Sequence, residues 1–192
     1  MSRGSRRWKI VFNSPLVIAF GIICVGALIA SIVTHGASNE ALFMTYRSSL
    51  KSPMTWVRFF THVCGHGSWE HLMGNISYIL LLGPLLEEKY GSGLLLGVIA
   101  LTAFVTGIVN YIFFPGSALL GASGVVFAFI IMSSITGFRD REIPLTFILV
   151  AVIYLGQQIY AGLFVQDNIA NFAHILGGLV GAIVGFALNR RG

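Results

Sequence analysis

Apolar residues in this chain fall into long, nearly continuous runs, separated by short clusters of charged, glycine and proline residues. Neither the strict alternation of a half-buried strand nor the one-sided stripe of a soluble helix is present. Reading the runs against their breakers predicts helices over 14–34, 70–87, 92–113, 120–137, 144–163 and 171–189. The breaks are Glu87-Glu88-Lys89-Tyr90-Gly91, Phe114-Pro115-Gly116-Ser117, Arg139-Asp140-Arg141-Glu142 and Gln166-Asp167-Asn168, all turn-forming or charged. The runs approach the roughly 20 apolar residues that a helix needs to cross a hydrocarbon core of about 30 Å. An all-α, polytopic bundle of six transmembrane helices is therefore expected, with one long connection over 35–69.

Composition points the same way. Of 192 residues, 56% are hydrophobic and 10% charged, against roughly 25% charged in soluble domains. A single membrane domain over 1–192 uses the whole chain, with a basic N-terminus at 1–13 and the helical core at 14–189. The N-terminal Arg3, Arg6, Arg7 and Lys9 precede an apolar run from Pro15 to Val33. That run is too long for a cleaved signal peptide and lacks a small-x-small cleavage site, so it reads as a retained first span.

The formal charge of +5 raises the question of nucleic acid, but the basic residues are scattered between apolar spans and form no stripe with interleaved aromatics. No nucleic-acid partner is expected. Their placement instead sets an orientation. With both termini in the cytoplasm, nine basic residues lie inside, and Arg47, Lys51 and Arg58 lie outside, which accounts for all twelve and satisfies the positive-inside bias. Cys24 and Cys64 show no paired spacing and read as free thiols.

The connection 35–69 carries an aromatic, apolar stretch from Met54 to Val63 that is too interrupted to cross a bilayer. It is expected at the membrane interface, with Trp56, Phe59 and Phe60 in lipid and Arg58 at the headgroups. An ordinary ordered loop of the bundle is the alternative.

Polar groups inside a membrane are costly and usually face a bundle interior or a wet cavity. Gly121-Ala122-Ser123-Gly124 opens the fourth span. A serine there lies beside unpaired backbone N–H groups and the positive end of the helix dipole, where a developing oxyanion is stabilised, and the glycines admit a substrate backbone. The same residues also serve as packing residues in membrane helices. On the sixth span, Gly177, Gly178, Gly181 and Gly185 share a face with His174, a smooth groove for a neighbouring helix. His174 is then either a base directed at that neighbour or a histidine bonded to a carbonyl in a tight helix pair. His71 and Asn75, four residues apart on the second span, can direct two N–H donors to one point, as an oxyanion hole requires, or can hydrogen-bond between helices. The series His62, His66 and His71 with Cys64 could be read as a zinc site. No His-Glu-x-x-His spacing supports that, however, and no metal is expected.

Taken together, these residues resemble the rhomboid family from about Trp56 to Gly185. The pattern runs Arg58, His62, His66, His71, Asn75, then Glu87 and Gly91, then Gly121-x-Ser123-Gly124, then Ala173-His174-x-x-Gly177-x-x-x-Gly181. The resemblance implies a rhomboid-like six-helix bundle with a partly embedded first loop, in the bacterial inner membrane. It also implies an intramembrane serine endopeptidase acting on transmembrane protein substrates within membrane lipid, without a cofactor. Ser123 would be the nucleophile and His174 the base, with His71, Asn75 and the Ser123 N–H as the oxyanion hole. Gly121, Gly124, Asn171, Phe127, Gly177 and Gly181 would support the site. Phe127 stands where several family members carry a tyrosine that stacks on the histidine. No carboxylate lies in the fourth or sixth span, so a dyad rather than a triad is implied. The alternative is a non-catalytic rhomboid-like protein that binds membrane clients; such relatives usually lack the serine or the histidine, and both are present here.

Overall fold

A computed structural model describes residues 11–135, 145, 148–150, 152–153, 156, 160 and 168–189, with the backbone alone at 168–170. Pro15 occupies the first turn of α1 (Pro15–Val33), where its missing N–H leaves no bond unmade. Ser14 makes no side-chain cap there. The carboxylate of Glu87 does the work instead, accepting the N–H groups of Leu16 and Val17 at 3.0 Å each and the Ser92 hydroxyl at 2.7 Å. An anion at a helix N-terminus satisfies otherwise orphaned donors and complements the dipole.

After α1 come a short turn of π-helix, Asn39–Phe43, and then α2 (Pro53–Thr61), which runs into a 3₁₀ turn, His62–Cys64. Helix α3 (Trp69–Tyr90) begins with Ser68, whose hydroxyl accepts from the His71 N–H, and ends at Gly91. Helices α4 (Ser92–Phe113), α5 (Ser123–Ile135) and α6 (Asn168–Asn189) complete the described chain. The only β feature among the described residues is an isolated antiparallel bridge between Thr45 and Leu119.

These helices form an all-α membrane bundle. Three of those described, α1, α4 and residues 171–189 of α6, are long and apolar enough to cross a membrane. At 22 residues α3 has the length as well, and two of its polar residues, Asn75 and Glu87, are buried inside the bundle. The third predicted helix is reproduced at 92–113, while the second and sixth extend further, to Trp69–Tyr90 and from Asn168. The fourth was expected from 120 but starts at Ser123, because Gly121 has φ +125 and so breaks the helical path. The expected helix 144–163 lies largely outside the described residues.

In the core, Val17, Phe20, Cys24 and Leu28 of α1 meet Leu72, Ile76 and Ile79 of α3, with Val98 of α4 and Val125 and Phe129 of α5 beneath them. Outward-facing residues such as Ile22, Leu81, Leu85, Phe113 and Ile183 remain exposed on the bundle surface, as lipid-facing residues do. Lipid tails are as apolar as leucine, so close packing at small residues must hold such helices together. Among the described residues, the pair α5–α6 makes the most extensive contact. A Cβ on Gly177 would stand 2.0 Å from the Gly124 carbonyl oxygen, and one on Gly181 would stand 2.4 Å from that of Ala128.

The structure corrects the expectation for α2. Trp56 and Phe60 are exposed, but Phe59 is 1% exposed and packs edge-on against Tyr111 and Phe104 of α4. Gly107 of α4 makes this possible, because a Cβ there would lie 3.0 Å from the Phe59 carbonyl. Arg58 does not reach for headgroups either. It is 6% exposed, donates to the Glu40 carbonyl at 3.1 Å and to the Tyr46 hydroxyl, and lies over the Tyr46 ring. The guanidinium is thus a staple inside the first loop.

Candidate active site

Ser123 is the first residue of α5, so its N–H belongs to the unpaired donors of a helix N-terminus. The turn before it is fixed at three points by the 35–69 connection. Thr45 and Leu119 exchange both backbone bonds at 2.9 Å, and the Gly121 N–H donates to the His62 carbonyl at 2.9 Å. Gly121 is required here for two reasons. Its φ of +125 disfavours any side chain, and a Cβ would lie 2.7 Å from Cε1 and Nε2 of His71 and 3.8 Å from the Asn75 amide nitrogen. The two α3 side chains expected to act together therefore do converge, against the backbone two residues before Ser123.

Asn75 is oriented by a relay that sequence reading missed. His66 is fully buried, and its Nδ1 faces the Cys64 carbonyl at 3.2 Å. Burial, aided by the nearby His71, pushes its pKa down to about 4, so the ring is neutral near neutral pH. Facing a carbonyl, Nδ1 must carry the proton, and Nε2 is then an acceptor. It receives the Asn75 amide N–H at 3.0 Å, which fixes which way the carboxamide points and leaves its second N–H for another acceptor. His62 has a parallel structural role. Burial brings it to about 4 as well, and its ring bridges the Arg58 carbonyl at 3.1 Å and the Thr106 hydroxyl of α4 at 3.2 Å. The histidine series is thus a hydrogen-bond framework, and among the described residues no group of three or more His, Cys, Asp or Glu could hold a metal.

On α6, Ala173 and Gly177 bracket His174. The Ala173 carbonyl lies 3.4 Å from a Cβ built on Gly124, and Gly177 sits against the Gly124 backbone. His174 therefore faces the first turn of α5. Its ring stacks on Phe127, with centroids 4.3 Å apart and planes 7° from parallel, and Phe127 lies one helical turn beyond Ser123. Ser123 and His174 are half-buried, and Asn171, one turn before His174, is 9% exposed. Gly178 shares the helix but not the close contact, since a Cβ there would meet only the Ile131 side chain at 3.6 Å.

A bundle with a hydroxyl at a helix N-terminus, an imidazole on the facing helix and two further donors beside them defines a class: an integral membrane protein with a polar centre built at a glycine-lined helix pair. Comparison with known proteins narrows that class. Residues 53–191 match the rhomboid domain family. Rhomboid-related protein 2 of Mus musculus is 31% identical over 161 residues, 72% of this chain and 53% of that protein. Rhomboid protease GlpG of Enterobacter sp. (strain 638) is 33% identical over 138 residues, 70% of this chain and 50% of the relative, and GlpG of Salmonella newport (strain SL254) matches to the same extent. The chain spans about half the length of these curated relatives. It belongs to the rhomboid family.

Proposed function

We propose that this chain is an intramembrane serine endopeptidase that cleaves transmembrane segments with a Ser123–His174 dyad. His174 removes the Ser123 proton as the hydroxyl attacks the scissile carbonyl, and then returns that proton to the leaving amine. The oxyanion that forms is met by the Ser123 N–H, the Asn75 amide and the His71 ring, donors of the kind worth roughly 3–4 kcal/mol each in a transition state. Gly121 and Gly124 give the substrate backbone room. Phe127 holds the imidazole plane, and Gly177 and Gly181 let α6 approach α5. Water for the second half-reaction enters the polar hollow near His71, Asn75 and Asn171. A substrate helix hides its carbonyls in its own bonds, so segments with glycine, proline or other weak helix formers near the cut are preferred. The distribution of basic residues supports an orientation with both termini in the cytoplasm, and the reading sets the chain in a bacterial inner membrane.

The observation that carries this reading is the seating of His174 on Phe127, across the contact of Gly124 with Ala173 and Gly177. The test is cleavage of a reconstituted transmembrane substrate together with labelling by a serine-directed fluorophosphonate. Ser123→Ala should abolish labelling, and Ser123→Ala and His174→Ala should each lose at least about 10³-fold of the cleavage rate while thermal unfolding in detergent is retained. Undiminished cleavage in either variant refutes the dyad.

A further inference from the structure

The sequence gives no reason to pair Cys24 with Cys64, yet the fold brings them together. Cys24 lies in α1 and is wholly buried, and Cys64 closes the 3₁₀ turn after α2 and is half-buried. The Cys24 sulfur is 4.0 Å from the carbonyl oxygen of Val63, the residue preceding Cys64, and Cys64 packs against the core cluster to which Cys24 belongs. Neither side chain has a part in the mechanism above. The backbone of Cys64 does, because its carbonyl receives the His66 Nδ1–H, and His66 in turn holds Asn75. His62, two residues earlier in the same turn, holds the Gly121 N–H.

We propose that Cys24 and Cys64 form a reversible dithiol/disulfide pair, and that closing the disulfide slows proteolysis by pulling the His62–Cys64 turn away from Asn75 and Gly121. The second half rests on the protease reading; the first does not. The oxidant is a disulfide-bearing thiol compound or protein. The half-buried Cys64 thiolate attacks one sulfur of that disulfide, giving a mixed disulfide and releasing one thiol. The Cys24 sulfur then attacks the Cys64 sulfur and releases the second thiol. Two protein thiols lose two protons and two electrons, and the oxidant gains them. A disulfide bond of about 2.05 Å is shorter than any contact between unbonded sulfurs, so the two must approach by more than about 1 Å. Cys24 sits in a packed helix core, so the turn is the part that moves.

The test holds the full chain in detergent in a buffer of reduced and oxidised glutathione at varied ratio. Thiols are counted by maleimide and intact mass, and cleavage of a transmembrane substrate is followed in the same samples. Expected for the native protein are loss of both thiols, a mass decrease of two hydrogens, and a fall in turnover of at least about tenfold, since an impaired oxyanion donor can cost more than that; a reductant should restore the rate. Cys24→Ala and Cys64→Ala should each show cleavage that does not respond to the buffer, and either one that folds suffices as the control. Two thiols still titratable at the most oxidising ratio, or a mass gain of one glutathione in place of the loss of two hydrogens, overturns the pair. A disulfide that forms with the rate unchanged overturns the coupling to Asn75. A reduced protein that cleaves nothing overturns the protease reading, while the thiol count still decides the disulfide.

Discussion

Replacing Gly177 by alanine adds one methyl group to a helix, where alanine is ordinarily the better residue by up to about 1 kcal/mol. Here the sign should reverse. The new Cβ would stand 2.0 Å from the Gly124 carbonyl oxygen, 2.7 Å from its carbonyl carbon and 2.8 Å from its Cα. All three are backbone atoms, so no rotamer change relieves the clash, and α5 and α6 must separate locally by more than about 1 Å to restore ordinary contact. Overpacking of this kind costs about 1–3 kcal/mol. The effect on rate should be larger, because Gly124 follows Ser123 directly and Gly177 lies one turn beyond His174. A misplacement of about 1 Å can cost about 10²-fold. Gly178→Ala is the control on the same helix, with a Cβ 3.6 Å from an Ile131 side-chain atom. It should stay within about twofold of the unaltered rate, as expected of a fit without backbone shift. The assay is cleavage of a reconstituted transmembrane substrate, with thermal unfolding measured in the same detergent. If Gly177→Ala cleaves as fast as Gly178→Ala, the helix contact does not set the distance between hydroxyl and imidazole.

Other expectations follow from single contacts. Glu87→Gln removes a carboxylate that accepts three donors and should destabilise the bundle by about 1.5–3 kcal/mol; an unchanged unfolding midpoint would contradict its capping of α1. Gly121→Ala places a Cβ 2.7 Å from the His71 ring at a φ of +125. It should lower kcat about tenfold or more through the displaced donor, and a loss confined to KM would argue against an oxyanion role for His71. Acid should loosen the first loop, because His62 has a pKa of about 4 in the fold against an ordinary 6.5. Between those values the unfolded chain binds the extra proton, so this contribution to stability is complete above pH 6.5 and fades as pH falls toward 4, by about 3 kcal/mol over the interval. His66 moves in the same direction. Unfolding midpoints that stay flat from pH 7 to 4 would sink this account.

What could be read in the sequence was set by chemistry that acts locally. Apolar runs and their breakers located α1, α3, α4 and α6 to within a few residues. Gly121-x-Ser123-Gly124 was read at a helix start from its place at the head of an apolar run, since glycine and serine also serve as packing residues inside membrane helices. The face that each helix buries was harder to read. Where lipid replaces water, exposed and buried positions are both apolar, so a residue such as Phe59 carries no label. Its burial is decided by Gly107, whose lack of a side chain admits the α2 backbone, and that partner lies in another helix. Arg58 was assigned outward because a charge normally seeks water, yet a loop carbonyl and a tyrosine hydroxyl satisfy it inside. The roles of His62 and His66 were likewise hidden, since their partners include backbone carbonyls, which every residue possesses and no residue name announces.

The dominance of backbone acceptors in that framework has a consequence for how the site responds to change. Thr45, His62, Cys64 and His66 all belong to the 35–69 connection, and among the described residues the bonds that fix Leu119, Gly121 and the Asn75 amide from outside their own segments begin on one of them or end there. On the proposed reading, helix packing at Gly124 and Gly177 sets how near the imidazole comes to the hydroxyl, whereas the loop sets where the oxyanion donors would stand. The two are held by different forces. The helix pair relies on close contact in a medium that gives no hydrophobic drive, and the loop relies on hydrogen bonds to neutral histidines that acid can protonate. Loop perturbations should therefore reduce turnover before they unfold the bundle, while glycine substitutions in α6 should affect both together.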